Sequence, residues 1–112
     1  MLAPLTENYA RYLDLLSTRQ RLTASNIANA DTPGYRTQDI DFQFEFATLT
    51  QAERPHVIEP NGMKQKPDGN NVDMDREARL LAENALRFNL ASNLLRAQLK
   101  TVEQAIQSGG AA

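Results

Sequence analysis

Residues 73–107, DMDREARLLAENALRFNLASNLLRAQLKTVEQAIQ, decide the fold. Met74, Ala78, Leu81, Ala85, Phe88, Ser92, Leu95, Leu99, Val102 and Ile106 recur at alternating spacings of four and three, and Ser92 is the only polar member. This is an a/d seam held for about five heptads, the pattern of a helix that buries one stripe against other helices. No proline or glycine interrupts it, so the reading is one continuous helix of roughly 50 Å at 1.5 Å per residue. A compact body of 112 residues has a diameter of only about 30 Å. The helix is therefore expected to protrude, and its seam to need a partner. Asp73 or Asn71 suits the N-cap, and Asp73, Asp75 and Glu77 place negative charge at the positive pole of the helix. Gly109 and Gly110 are expected to finish it. Asp75 with Arg79 and Glu83 with Arg87 are acid-first pairs four apart, suited to a solvated face.

Toward the N-terminus, residues 3–30 read as a second long helix. Leu5, Tyr9, Tyr12 and Leu16 follow the same spacing, and Leu13 and Ile27 widen the stripe. Extending the register reaches Arg19, Thr23 and Asn26, so the second half of this seam turns polar. Polar seam positions cost stability and can specify register or partner, or simply pack less tightly. Pro4 suits the first turn. The helix must stop at residues 29–35, because Asn29, Asp31 and Thr32 compete for backbone hydrogen bonds and Thr32 precedes Pro33. Pro33-Gly34 fits the central positions of a type II turn.

Between the helices, Ile40, Phe42, Phe44 and Phe46 alternate with Asp39, Asp41, Gln43 and Glu45. A strand over 39–46 is the favoured reading; a helix beginning after Asp41 would instead stack Phe42, Phe46 and Leu49. Residues 51–72 read as connector, with a short β-hairpin of 56–58 against 63–65 around the turn Glu59-Pro60-Asn61-Gly62 and a further turn at Pro67-Asp68-Gly69. The fold class expected is mainly α: two long terminal helices pairing as an antiparallel coiled coil, joined by an extended loop. The domain expected is single, covering 1–112, with helices at 3–30 and 73–107 and the connector at 31–72.

Composition narrows the function. Charge is nearly balanced, 12 basic against 14 acidic residues, so no long-range field favours nucleic acid or anionic lipid. There is no cysteine, which removes disulfides, thiolate metal sites and cysteine nucleophiles together. His56 is the single histidine and reads as a surface residue. Asp68, Asn70 and Asp73 do not keep calcium-loop spacing, and no glycine-rich phosphate loop or serine elbow is present. No catalytic, metal or cofactor site is expected. Glu7, Arg11, Asp14 and Arg19 break up any signal-peptide core, and no run approaches a membrane span. If the chain leaves the cytoplasm, a route without a cleaved signal must carry it.

Asn26-Ile27-Ala28-Asn29-Ala30-Asp31-Thr32-Pro33-Gly34-Tyr35 resembles the N-terminal signature of the bacterial flagellar rod and hook axial proteins. Its two asparagines three apart, threonine, glycine and aromatic are filled by Asn26, Asn29, Thr32, Gly34 and Tyr35. Asp39-Ile40-Asp41-Phe42, the stretch Asp68-Gly69-Asn70-Asn71-Val72-Asp73-Met74-Asp75, and Asn84 followed by Phe88 are similar to a proximal-rod member of that family. Residues 45–66 carry no match and are short for the family. The resemblance implies export through the flagellar type III apparatus and assembly as a helical tube on the MS-ring protein FliF. Terminal helices would line that tube around the export channel. Its implied partners are the chain itself, the sibling FlgC and later rod subunits, and the adaptor FliE; nucleic acid and a direct membrane span are not among them. It marks Asn26, Asn29, Thr32, Pro33, Gly34 and Tyr35 as the signature turn. Leu5, Tyr9, Tyr12, Leu16, Ile27, Met74, Leu81, Phe88, Leu95, Leu99, Val102 and Ile106 form the expected assembly seam. Such a monomer is expected to be loosely folded until neighbours cover its stripes. The alternatives are the FlgC role itself and a helical-hairpin adaptor or secretion chaperone that does not polymerise.

Overall fold

The computed structural model describes residues 2–48 and 54–111. In chain order the elements are α1 (Leu2–Ala28), β1 (Asp39–Ile40), α2 (Phe42–Ala47), β2 (Val57–Ile58) and α3 (Met74–Ala111). The molecule measures 71 × 25 × 17 Å, and α3, about 57 Å long, is its longest element.

α1 and α3 pair antiparallel. The Asn26 side chain meets Glu77, the Asn84 amide donates to the Leu16 carbonyl at 3.2 Å, and Leu5 and Tyr9 border the same groove as Leu90 and Leu94. α1 stops where expected. The Asn29 amide side chain donates to the Ser25 carbonyl at 2.9 Å, satisfying a carbonyl of the last turn. Asp73 is the N-cap of α3, its carboxylate accepting from the Asp75 and Arg76 amides at 3.0 and 3.2 Å. The far end of α3 differs from expectation, because the helix runs through Gly109 to Ala111. Helical glycine costs about 1 kcal/mol relative to alanine, and Gly109 keeps a helical rather than a left-handed backbone.

The face of α3 that packs on α1 is rotated from the expected seam by one residue. Glu77, Leu80, Asn84 and Ala91 are buried, each one position before Ala78, Leu81, Ala85 and Ser92. One residue is about 100° on a helix. Leu81, Leu95 and Val102 are consequently half-buried, while Met74, Phe88, Leu99 and Ile106 are exposed by 46%, 42%, 49% and 69%. In α1 the expected register holds better. Leu16, Thr23 and Asn26 are buried, Tyr9, Tyr12 and Ile27 half-buried, and Leu5 exposed.

α1 has a second packed face. Leu15 and Leu22 form a small core with Ile40, against which Phe42 and Phe46 pack. Tyr12 stands edge-on to both phenylalanines, with ring centroids 5.4 and 5.5 Å away. This face decides the connector. The strand expected over 39–46 is limited to Asp39–Ile40, and from Phe42 the chain turns into a short helix. Asp41 caps that helix by accepting from the Phe44 amide at 3.2 Å. Helical spacing brings Phe42 and Phe46 to one side, over Tyr12, and leaves Phe44 out in solvent. Leu49, the third member of that helical stripe, lies outside the described residues. The expected 56–58/63–65 hairpin is also replaced: Val57–Ile58 pair antiparallel with β1, Asp39 opposite Ile58 and Ile40 opposite Val57. The Asn61-Gly62 turn forms, with Gly62 at φ 77°, but Met63-Lys64-Gln65 is not a strand.

Candidate functional site at the junction of the terminal helices

The end of α1 and the approach to α3, read separately in the sequence, meet in one buried polar junction. Thr32-Pro33-Gly34-Tyr35 forms the expected turn, closed by the Tyr35 amide on the Thr32 carbonyl at 3.2 Å. Gly34 occupies the left-handed position at φ 76°, which a side chain adopts only at a cost of roughly 1 kcal/mol or more. The Gly34 amide donates to the Asp68 carbonyl at 2.9 Å. Gly69, at φ 88°, lies so close that a Cβ there would meet the Gly34 Cα at 3.4 Å.

Four asparagines hold the junction. Asn26 is fully buried. Its amide group donates to the Gln38 carbonyl at 2.8 Å and to Glu77 at 3.0 Å. Its carbonyl oxygen accepts from the Gln38 amide and the Tyr35 hydroxyl, both at 3.0 Å. Every hydrogen-bonding capacity of that side chain is therefore used. Asn70 donates to the Asn29 and Thr32 carbonyls at 2.9 Å and accepts from the Val72 amide at 2.8 Å. Asn71 accepts from the Thr37 amide at 2.6 Å and donates to Glu59 at 3.0 Å. Asn29 accepts from the Thr32 hydroxyl at 3.1 Å. Of the signature residues, Asn26, Asn29, Thr32, Gly34 and Tyr35 thus converge, and Pro33 presets the turn while remaining exposed.

A charged set extends the junction along α1. Arg19 grips Asp39 through two bonds of 3.0 Å. Arg76 bonds to the same carboxylate and to Glu77 at 2.9 Å. Glu77 is fully buried and its second oxygen has no protein partner. Burial pushes the Glu77 carboxyl above its ordinary value of 4.5, against the opposing pull of Arg76 and the Asn26 hydrogen bond. A raised carboxyl pKa means that its contribution to stability is complete below pH 4.5 and is lost as pH rises through the folded-state value. Glu77→Gln keeps an acceptor for Asn26 and Arg76 and removes the incompletely paired anion. It is expected to remove the loss of stability that sets in as pH rises above 4.5. Hydrogen exchange at the junction amides, followed over that rise, checks this.

A second buried carboxylate behaves oppositely. Glu45 of α2 is 3% exposed. Burial alone would raise its pKa, but the amide and ring of His56, at 2.8 and 3.0 Å, together with Arg11 hold it below the ordinary value. Its contribution is lost only as pH falls through that lowered value. His56 has a solvent-exposed ring and serves to tie β2 to α2.

Among the described residues no group of three or more metal-ligating side chains is brought together. No described helix is long and apolar enough to cross a membrane. What the junction can do is mechanical: it fixes the register and crossing point of α1 on α3, and the direction in which the connector leaves. From sequence, Glu77 reads only as charge at the helix pole and Arg19 only as a polar seam position, and Arg76 is given no role, because a contact between side chains far apart in the chain has no local pattern. The available signal was the polar turn of the first seam at Arg19, Thr23 and Asn26, which demanded polar partners.

Residues 13–36, covering the second half of α1 and the signature turn, match the family model described as flagella basal body rod protein. Flagellar basal body rod protein FlgB of Escherichia coli K12 is 36% identical over 122 aligned positions, covering 87% of this chain and 88% of the relative. The Salmonella typhimurium LT2 protein of that name is 36% identical over the same shares. The Borrelia hermsii one is 32% identical over 87% of this chain and 91% of its own length. With the E. coli protein, 122 aligned positions against 112 residues mean that some of the relative's segments have no counterpart here. The fold, the junction and these matches define a flagellar basal body rod protein. Within that class the chain belongs to the FlgB family.

Proposed function

We propose that this chain is a structural subunit of the proximal rod, polymerising through its terminal helices into the axial tube that transmits torque and encloses the export channel. It reaches the periplasmic rod through the flagellar type III export apparatus without signal cleavage. It meets FlgC and later rod subunits, the adaptor FliE and the MS-ring protein FliF. The observation that carries this reading is the apolar stripe left on the outside of the helix pair. Met74, Phe88, Leu99 and Ile106 follow one face of α3 and remain 42–69% exposed, and an exposed apolar stripe rimmed by polar residues marks an interaction surface. The FlgB relatives favour this role over that of the sibling.

The free subunit is a marginally ordered hairpin whose helices become fixed on assembly. Support comes from the α1–α3 contact, where buried Thr23, Asn26, Glu77 and Asn84 stand among few buried apolar side chains. Helices with little buried apolar area gain most of their stability from packing partners. Circular dichroism of the purified chain at micromolar concentration is expected to show partial helicity and a broad melt, with helicity rising on assembly. A fully helical monomer with a sharp, concentration-independent melt would contradict this and favour a free-standing helical-hairpin adaptor.

A further inference from the structure

Of the nine asparagines in the chain, only Asn61 precedes a glycine. An asparagine carboxamide is attacked by the next residue's amide nitrogen most readily where that nitrogen is free of hydrogen bonds and no side chain obstructs the approach. Elsewhere in the chain this nitrogen is engaged. Asn8, Asn26, Asn84, Asn89 and Asn93 lie inside α1 and α3, where the following amide is held in the helical ladder. After Asn29, the Ala30 amide donates to the Ile27 carbonyl at 3.2 Å, and after Asn70 the Asn71 amide donates to the Tyr35 carbonyl at 3.3 Å. After Asn71, the Val72 amide donates to the Asn70 side chain at 2.8 Å. Asp68-Gly69, which could react in the same way, is pinned as well. The Gly69 amide donates to the Lys66 carbonyl and the Asp68 carboxylate accepts from the Asn70 amide, both at 2.9 Å.

Asn61-Gly62 has none of these restraints. Both residues are exposed. Among the described residues the Gly62 amide has no hydrogen-bond partner. Gly62 stands at φ 77° in its turn, and a Cβ there would meet nothing within 4 Å, so solvent surrounds the pair.

We propose that Asn61 is a self-modification site, converting spontaneously to aspartate and isoaspartate through its glycine neighbour. The Gly62 amide nitrogen gives its proton to solvent base and bonds to the Asn61 Cγ. The Cγ–Nδ2 bond breaks, and the side-chain nitrogen takes a proton from water and leaves as ammonia. Water then opens the cyclic imide. Cleavage at Cγ gives aspartate, and cleavage at the backbone carbonyl gives isoaspartate, with the main chain routed through Cγ. Nothing is oxidised or reduced, and water is the only co-reactant. The formal net charge passes from −2 to −3. The new carboxylate lies in the cleft that Asn61 shares with Arg36, Glu59 and Asn71, where Arg36 pairs with Glu59 and Glu59 accepts from Asn71. This chemistry is independent of the rod reading.

The test holds the purified chain at mildly alkaline pH and follows it over days by peptide mass spectrometry, with isoaspartate read by its enzymatic methylation. Conversion at Asn61 is expected to run about tenfold or more faster than at any other asparagine, and Gly62→Ala to slow it by a similar factor. Asn61→Gln, which would have to close a larger ring, is expected to remove the isoaspartate and leaves the Gly62 turn in place. Asn61 converting no faster than the other asparagines, or isoaspartate undiminished in Asn61→Gln, overturns the assignment.

Discussion

Asn26→Ala is expected to abolish swimming in cells that depend on this chain and to strip exchange protection from the Gln38 amide. The side chain is fully buried and makes four bonds, to Gln38 twice, Glu77 and Tyr35. Truncation leaves the Gln38 amide and the Tyr35 hydroxyl short of partners. It also removes one of the two donors that hold the buried Glu77 oxygen. Glu77 is the fully buried group among these, and leaving a buried charge short of a donor costs more than the roughly 1–3 kcal/mol of a neutral group, so the junction should open around it. Asn26→Asp is expected to fail as badly despite its shape. It replaces the donor facing Glu77 with a second carboxylate, and like charges in a buried site repel. By contrast Ser25→Ala loses only a 3.2 Å contact with the Tyr35 hydroxyl, and should swim normally. Amide exchange by mass spectrometry separates a local opening at residues 35–38 from loss of helix elsewhere.

How far the sequence could be read depended on which side chains carried the packing. Both long helices, the stop at Asn29, the Pro33-Gly34 turn and the Asp73 cap were legible, because periodicity and turn chemistry are local. The phase of α3 was not. A reading by apolarity selects Met74, Phe88 and Leu99, whereas the subunit packs α3 on α1 through Glu77, Leu80, Asn84 and Ala91. Two of those four are polar, so the apolar stripe and the internal contact are different faces of the same helix. Residues 42–47 were misread for a related reason: strict alternation fits a strand, but the Asp41 cap and the Tyr12 ring reward the helical arrangement of Phe42 and Phe46. The meeting of Asn26 with Glu77 and of Thr37 with Asn71 could not be seen at all. Contacts between carboxamides and turns far apart in the chain leave no periodic trace.

Leu99→Asp is expected to eliminate rod assembly while leaving the free subunit's helicity unchanged, and Lys64→Ala on the exposed connector is expected to be silent. Leu99 is half-exposed in the isolated chain, so a carboxylate there stays hydrated and costs the subunit little. In an assembled rod the same position would lose burial of the remaining half of the leucine, about 0.7–1.5 kcal/mol, and bury an unpaired charge, a further penalty of about 3–5 kcal/mol. At 1.4 kcal/mol per tenfold, even the lower figures weaken each contact by roughly several hundredfold. Swimming in soft agar reads assembly, and circular dichroism of the purified variant reads the fold. A swimming Leu99→Asp strain would remove the stripe from the assembly face.

The most direct test of the central claim, that the outer stripe of α3 is covered in the rod, is thiol accessibility at Phe88→Cys and Leu99→Cys in a chain that otherwise has none. A maleimide reagent should label both sites rapidly on the free protein. In intact basal bodies carrying the same variants, both should be protected, while Lys64→Cys on the connector labels in either state. Equal labelling of the stripe before and after assembly would contradict the account.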